Sequence, residues 1–330
     1  MKKLIYFLLL LCLYSCSSNN DITKYQKKRG NIIEVKNKIK EIDLNDVLLH
    51  ENSVPYIFGK YFIVLDPYTT EKVINIFDKT TFKHLVSVGN HGQGPFEYVS
   101  AGGFADNHKG EFYLTDFGKY VINSYHIDSL INDSVYQPKE FRRIKESSFP
   151  SDYIIINDSI TIAQLIHPTS ISTFVEYTGI WNIKTGNISM LTDTIIQECH
   201  KKRFVLAVSP QDEIFAECNY LIDMICIYNF KGELLHKVFG PDIKKEHYLT
   251  FNDATFSNDY LFTLYQGGDY GSEMYDSKCI IFKKNGDYVA TLHLGYNVIR
   301  FCYDQDNNRL IFWCNDEILC CYLDLNGIID

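Results

Sequence analysis

The chain has 330 residues, of which 46% are hydrophobic and 22% charged, a balance that excludes intrinsic disorder and leaves enough apolar material for a sizeable core. With 41 acidic against 32 basic residues the formal net charge is −9, so no broad cationic surface exists for a phosphate backbone, and nucleic-acid binding is disfavoured. The 24 Tyr and 22 Phe beside only 4 Met favour strands over helices.

Lys2 and Lys3 open the chain as a basic n-region, and the apolar run from Leu4 to Tyr14 is too short to cross a bilayer as a mature helix. This pattern predicts a signal peptide. It ends in Leu13-Tyr14-Ser15-Cys16, which resembles a bacterial lipobox, with Cys16 as the residue that would be diacylated. The competing possibility, cleavage elsewhere with Cys16 an ordinary thiol, has the polar stretch Ser17-Ser18-Asn19-Asn20-Asp21 against it. Residues 1–15 are therefore expected to be a lipoprotein signal peptide, residues 16–30 a lipidated polar tether, and residues 31–330 a single domain. Removal of Lys2 and Lys3 makes the mature chain more acidic still, so its membrane contact is expected to be the lipid and not charge.

From about Tyr56 onward, short runs of Ile, Val, Phe and Tyr alternate with Asn, Asp, Gly and Lys turns, and no long amphipathic helix intervenes. The chain is all-β. One hairpin recurs, in which an apolar strand ends in an aromatic residue before a polar turn: Ile76-Phe77-Asp78-Lys79, Ser124-Tyr125-His126-Ile127, Ile180-Trp181-Asn182-Ile183, Ile227-Tyr228-Asn229-Phe230, Ile281-Phe282-Lys283-Lys284 and Cys321-Tyr322-Leu323-Asp324. The aromatic residues stand roughly 40 to 56 positions apart, the period of a four-stranded propeller blade. Another strand precedes each hairpin, as in Tyr61–Asp66, Glu111–Asp116 and Arg309–Trp313. The pattern predicts a six-bladed β-propeller with four-stranded blades. A pair of β-sandwiches would give similar spacing, but no linker divides the chain. After Tyr322-Leu323-Asp324 too little chain remains for a full final strand, so the N-terminal strand Asn31-Ile32-Ile33-Glu34-Val35 is expected to join the last blade and close the ring.

Beyond Cys16, the cysteines that follow are Cys199, Cys218, Cys226, Cys279, Cys302, Cys314, Cys320 and Cys321, none in a C-x-x-C pair. Most sit in apolar runs and are expected to be buried thiols, although a disulfide framework is the open alternative. Cys320 and Cys321, adjacent in a strand, should point to opposite faces.

The stretch Val86-Ser87-Val88-Gly89-Asn90-His91-Gly92-Gln93-Gly94-Pro95-Phe96-Glu97-Tyr98, following Ile76-Phe77-Asp78-Lys79, resembles the first blade of the TolB-like six-bladed propeller lipoproteins of Bacteroidota. Those proteins show an aromatic-Asp turn, a strand, and then G-x-x-G-x-G-P-G-E-F; here Phe96 and Tyr98 replace the last Gly and the Phe. The resemblance implies an envelope lipoprotein with a propeller and no established reaction. Without a following helix the glycines cannot form a phosphate cradle, so the stretch is expected to be an inter-blade loop, with Gly92, Gln93, Gly94, Pro95 and Glu97 as candidate binding residues.

A second candidate loop is Gln266–Asp276, with Asp269, Tyr270 and Glu273 as its binding residues. Asp304–Asn308 alternates oxygen ligands as a calcium loop does, but Arg309 stands where an EF-hand needs Gly, which leaves a polar turn. Glu198-Cys199-His200 adjoins Lys201-Lys202-Arg203 and is expected to be a solvated charge run. No zinc spacing and no G-x-S-x-G elbow occur, so no catalytic residue or metal ligand is named. The expected function is a non-catalytic, lipid-anchored binding module of the cell envelope, held at the outer membrane on its periplasmic face or at the cell surface. Its partner would be a protein, peptide or glycan. The alternative is a calcium-dependent propeller hydrolase, such as a lactonase, in which oxygen ligands from several blades converge on one calcium at the axis; no cofactor is expected otherwise.

The lipobox-like sequence makes a direct prediction. Metabolic labelling with a fatty-acid analogue should mark the wild-type chain and leave Cys16→Ala unmarked, and equal labelling of both would refute lipidation at Cys16.

Overall fold

Each apolar run between turn residues forms one strand, and successive strands pair antiparallel into six separate sheets arranged as a ring. The computed structural model describes residues 22–44, 47–195, 201–246, 248–272 and 275–329. The signal peptide with Cys16, the Glu198-Cys199-His200 cluster and Glu273 lie outside the described residues.

Blade 1 is Val54–Phe58, Tyr61–Leu65, Lys72–Asp78 and His84–Asn90, and blade 2 is Ala101–Asp106, Glu111–Asp116, Val121–His126 and Lys139–Arg143. Blade 3 is Phe149–Ile155, Ile160–Pro168, Phe174–Asn182 and Ile188–Met190, and blade 4 is Phe204–Ser209, Ile214–Asn219, Met224–Asn229 and Leu234–Phe239. Blade 5 is Tyr248–Phe256, Tyr260–Asp269, Lys278–Lys283 and Tyr288–His293; blade 6 has only Val298–Asp304, Arg309–Cys314 and Cys320–Asp324 from the C-terminal part of the chain. In each blade the first of these strands faces the axis and the last lies at the rim.

The recurring hairpin has a local cause. The polar residue after the aromatic folds its side chain back onto the turn: Asp78 Oδ1 accepts from the backbone N–H of Thr80 and Thr81, Asn182 Oδ1 from Lys184 and Thr185, and Asn229 Oδ1 from Lys231 and Glu233. The aromatic itself is packed between blades, and Phe77, Tyr125, Trp181 and Phe282 are fully buried.

Successive side chains of an inner strand serve different blades, which explains the unbroken apolar runs. In Tyr61–Leu65, the side chains of Phe62 and Val64 pack toward blade 6, while Ile63 and Leu65 pack toward blade 2. Every neighbouring pair of blades shares such an apolar cluster, including blades 6 and 1. Cys320 and Cys321 follow the same alternation, one in the blade 6–1 cluster and the other in the blade 5–6 cluster. Among the described residues the cysteines are free thiols.

The N-terminal segment closes the ring, but in a different register from the one expected. Lys40–Glu41, not Ile32–Val35, pairs antiparallel with Cys321 and Tyr322 and supplies the fourth strand of blade 6. Ile32–Glu34 instead runs parallel to Thr291–His293 as a fifth strand at the rim of blade 5. A rim strand needs no apolar face, so the polar Lys40–Glu41 carried no strand signal; the following Ile42, Leu44 and Leu49 dive into the blade 6–1 cluster. The seam is further pinned by charge. Lys79 of blade 1 lies 2.9 Å from Asp304 and 2.6 Å from Asp306, while Arg309 Nε donates to Asp304 Oδ2 at 3.0 Å and Arg309 Nη2 to the Lys79 carbonyl at 2.7 Å. Burial alone would raise the Asp304 carboxyl, but Asn307, Lys79 and Arg309 outweigh it and hold it below the ordinary carboxylate range.

Of the stretch expected to be a polar tether, the described residues 22–30 are built into the rim. Thr23–Tyr25 pairs parallel with Lys237–Phe239 as a fifth strand on blade 4. Arg29 then inserts between blades 4 and 5, donating to both carboxylate oxygens of the fully buried Asp223 at 3.0 and 2.8 Å. Its guanidinium lies 5.3 to 5.9 Å from the ring centroids of Phe251, Tyr265 and Phe282.

Removing one partner of a buried pair leaves an uncompensated charge. Arg29→Met should therefore lower the unfolding free energy in urea by about 3–5 kcal/mol, and adding Asp223→Asn should recover part of that loss. A change within the error of the measurement would mean that residues 22–30 are a loose tether after all.

Candidate functional site

The six inner strands enclose an axial cavity of about 670 Å³, within the range of small-molecule sites. Its wall is shaped by a recurring irregularity. Pairing with the second strand slips by one residue between Gly102 and Phe104, Pro150 and Asp152, Phe251 and Asp253, and Val298 and Arg300. Such bulges re-aim the side chain that follows. In four blades the residue after the slip, Phe104, Asp152, Asp253 or Arg300, lines the cavity, and Tyr56 enters from the unbulged inner strand of blade 1.

The polar groups are held by backbone. Asp253 accepts from the N–H of Ala254 at 2.9 Å and of Phe301 at 3.0 Å, which ties blade 5 to blade 6. Asp152 Oδ1 accepts from the N–H of Tyr153 at 2.9 Å. Arg300 Nη1 donates to the carbonyls of Ile299 at 3.0 Å and Asn252 at 3.4 Å. Burial, reinforced by the charge of Asp253, pushes the Asp152 carboxyl up to about 6 against the pull of Arg300. Burial likewise raises Asp253, with Arg300 and the two backbone amides opposing. Tyr56 is raised by burial and by Asp152, so its phenol stays neutral at physiological pH. Its ring packs against Phe104 with centroids 4.4 Å apart.

This arrangement can orient a small polar ligand. Among the described residues, no three His, Cys, Asp or Glu side chains come together at metal-binding spacing. The cavity carboxylates also share their site with a guanidinium.

The residues singled out from sequence lie elsewhere. Gly92, Gln93, Gly94, Pro95 and Glu97 form the connection from blade 1 to blade 2, as expected, and none lines the cavity. Glu97 Oε2 accepts from the Gly94 N–H at 2.7 Å, and Lys119 Nζ donates to the carbonyls of Gly94 and Glu97, each at 2.7 Å. A Cβ on Gly92 would stand 2.2 Å from Glu97 Oε2, at a backbone φ of +154°, so glycine is required there. The loop ends in fully buried Tyr98, whose hydroxyl lies 2.6 Å from that of Tyr125 and accepts from Asn123 Nδ2 at 3.2 Å. Its role in the structure is to wedge two blades together; Gln93 and Pro95 remain exposed. Asp269 and Tyr270 are exposed at the tip of a hairpin in blade 5. Strand alternation puts this tip on the same face as the connections between blades.

The charge run also differs from expectation. Lys202 is buried, 2.8 Å from Glu217 and donating to Thr192 Oγ1 at 3.0 Å, and Arg203 pairs with Glu176 at 3.3 Å. Sequence reasoning missed Tyr56, Asp152, Asp253 and Arg300. The available signal was a single charge inside an apolar run, as in Asp152-Tyr153-Ile154-Ile155 and Ile299-Arg300-Phe301-Cys302.

Because its pKa is raised on folding, the stabilising contribution of Asp152 is complete below the unfolded value near 4 and is lost as pH rises through about 6. Asp152→Asn should gain stability over wild type, by on the order of 2 kcal/mol, between pH 4 and pH 7.5 in urea unfolding. A difference independent of pH would contradict the assignment.

No family model and no curated protein matches the chain, so the TolB-like resemblance rests on its motif. Among solved structures, the chain is similar to a member of the DUF4221 family from Bacteroides vulgatus ATCC 8482, with TM-score 0.59 and 9% identity over 87% of this chain and 95% of that one. A protein of Bacteroides fragilis NCTC 9343 described as exported gives TM-score 0.54 and 11% identity over 92% and 98%. The β-propeller domain of Myceliophteria thermophila Cps50 (Swd1) gives 0.55 and 10% over 87% and 99%. At these identities the likeness shows the fold alone, a β-propeller, and the count of six blades comes from the six sheets of this chain.

Proposed function

We propose that this chain is a lipid-anchored binding module of the cell envelope, which receives a small solute, or a side chain or sugar of a protein, peptide or glycan partner, in its axial cavity. The observation that carries the proposal is the repeated bulge. Four inner strands break their pairing, that of blade 5 twice, and the side chains after the slips at Phe104, Asp152, Asp253 and Arg300 turn toward a common space. A ring that only had to pack would have no use for two half-buried carboxylates and a guanidinium there.

Export is supported by the basic and apolar N-terminus and by the description of the Bacteroides fragilis neighbour as exported. The proposed anchor suits the fold. Ile22 leads into the rim strand of blade 4, and the six steps back to Cys16 reach at most roughly 20 Å, so the lipid would hold the propeller by its rim and leave the cavity accessible.

The binding role is tested by filling the cavity. Wild-type protein equilibrated with a low-molecular-weight extract of the producing cells should show a bound small molecule in native mass spectrometry. Thr255→Trp, which places an indole in the cavity wall, should show none. Wild-type protein seen only at its own bare mass, with no adduct, would contradict a binding cavity.

A further inference from the structure

Resting on the binding role just proposed, we infer that the axial cavity selects a small organic cation, a primary or quaternary ammonium held by Asp152 and Asp253 beside the Tyr56–Phe104 ring pair. Three observations point to this class. The first is the charge balance: Asp106 and His108, which also line the cavity, pair with each other at 2.6 Å, while Asp152 and Asp253 face one guanidinium, and Arg300 already spends Nη1 on two backbone carbonyls of the wall. An anionic ligand would meet two carboxylates for one engaged arginine.

The second observation is the inventory of acceptors. Asp152 Oδ2 receives no hydrogen bond from the described residues, and each Asp253 oxygen receives one backbone N–H where a carboxylate oxygen can accept two. The cavity therefore presents spare acceptors with negative charge, which three N–H donors of an ammonium would satisfy. The third is the wall itself. Tyr56 lies within electrostatic reach of Asp152, Asp253 and Arg300, and its half-buried ring, backed on one side by the buried Phe104, offers a π face of the kind that holds alkylammonium groups.

Desolvation penalises both carboxylates, the charge of Asp253 adds to the penalty on Asp152, and a bound cation would relieve it. The net charge of −9 also favours the approach of cations over anions.

Calorimetric titration of the full-length mature protein with tetramethylammonium and 1,4-diaminobutane, against propionate, glucose and calcium chloride, tests the inference. At least one ammonium probe should bind saturably, at least tenfold more weakly to Asp152→Asn and not at all to Thr255→Trp. Asp253→Asn, which keeps the shape of the side chain, serves as a second variant if Asp152→Asn does not fold. If propionate or glucose binds in a manner blocked by Thr255→Trp while neither ammonium does, the cavity binds but the cation assignment is wrong. Tighter calcium binding that displaces the ammonium would overturn it in favour of a metal. Failure of both ammonium probes overturns it as well, leaving the binding cavity to be judged by its own mass-spectrometric test.

Discussion

A ring of sheets that pack only through side chains is held at every junction but depends on its seam, where the first and last blades must meet without a chain connection between them. In this protein the seam is made by a segment that comes before the first blade. Lys40–Glu41 completes blade 6 by hydrogen bonding to Cys321 and Tyr322, and Ile42, Leu44 and Leu49 then fill the space between Phe62, Val64 and Phe77 on one side and Ile311 and Trp313 on the other. The buried Lys79–Asp304–Arg309 cluster holds the same seam with charge. Removing Asp304 would leave the buried Arg309 guanidinium without a carboxylate partner, which makes the cluster specific as well as cohesive.

The segment does more than close the ring. Before reaching blade 6 it lies along the rims of blades 4 and 5 as additional parallel strands, and Arg29 crosses inward to Asp223 between them. Three blades are thus belted by one stretch of chain, and three rim edges that would otherwise expose unpaired backbone are covered. A closed, belted ring keeps its inner strands at fixed separations. That rigidity allows side chains from all six blades to meet in one cavity with defined geometry.

Much of this architecture was legible because it repeats. The recurring hairpin signals a blade because its aromatic packs between blades, and at Phe77-Asp78, Trp181-Asn182 and Tyr228-Asn229 the next side chain also caps the turn. The continuous apolar runs were legible for the same reason, each face being covered. Closure by the N-terminus followed from the shortness of the last blade, yet its register did not. Ile32–Val35 looks like a strand and Lys40–Glu41 does not, but at a rim hydrogen bonding decides, and it leaves no apolar signature. Val35 is buried between blades 5 and 6 although its own strand belongs to blade 5. The cavity was illegible for a different reason. Asp152, Asp253 and Arg300 reach one space only because a bulge precedes each, and a bulge is a property of pairing between two strands that neither sequence displays alone. The glycine loop, conspicuous in sequence, proved to be a wedge between blades 1 and 2, with Gly92 required by its backbone φ of +154°.

Everything proposed for the cavity presupposes that the N-terminal belt is part of the native ring. Hydrogen exchange of the mature protein tests this most directly, because three belt amides have defined acceptors: Gln26 N–H to the Phe239 carbonyl at 2.8 Å, Val35 N–H to His293 at 3.2 Å and Ile42 N–H to Cys320 at 2.9 Å. The account expects all three to be protected to within about tenfold of the Cys314 amide, which bonds the Leu319 carbonyl inside blade 6, because closure and blade stability are one cooperative property. Exchange of the three at the rate of an unstructured chain, with Cys314 still protected, would show that the ring stands without its belt and would contradict the account.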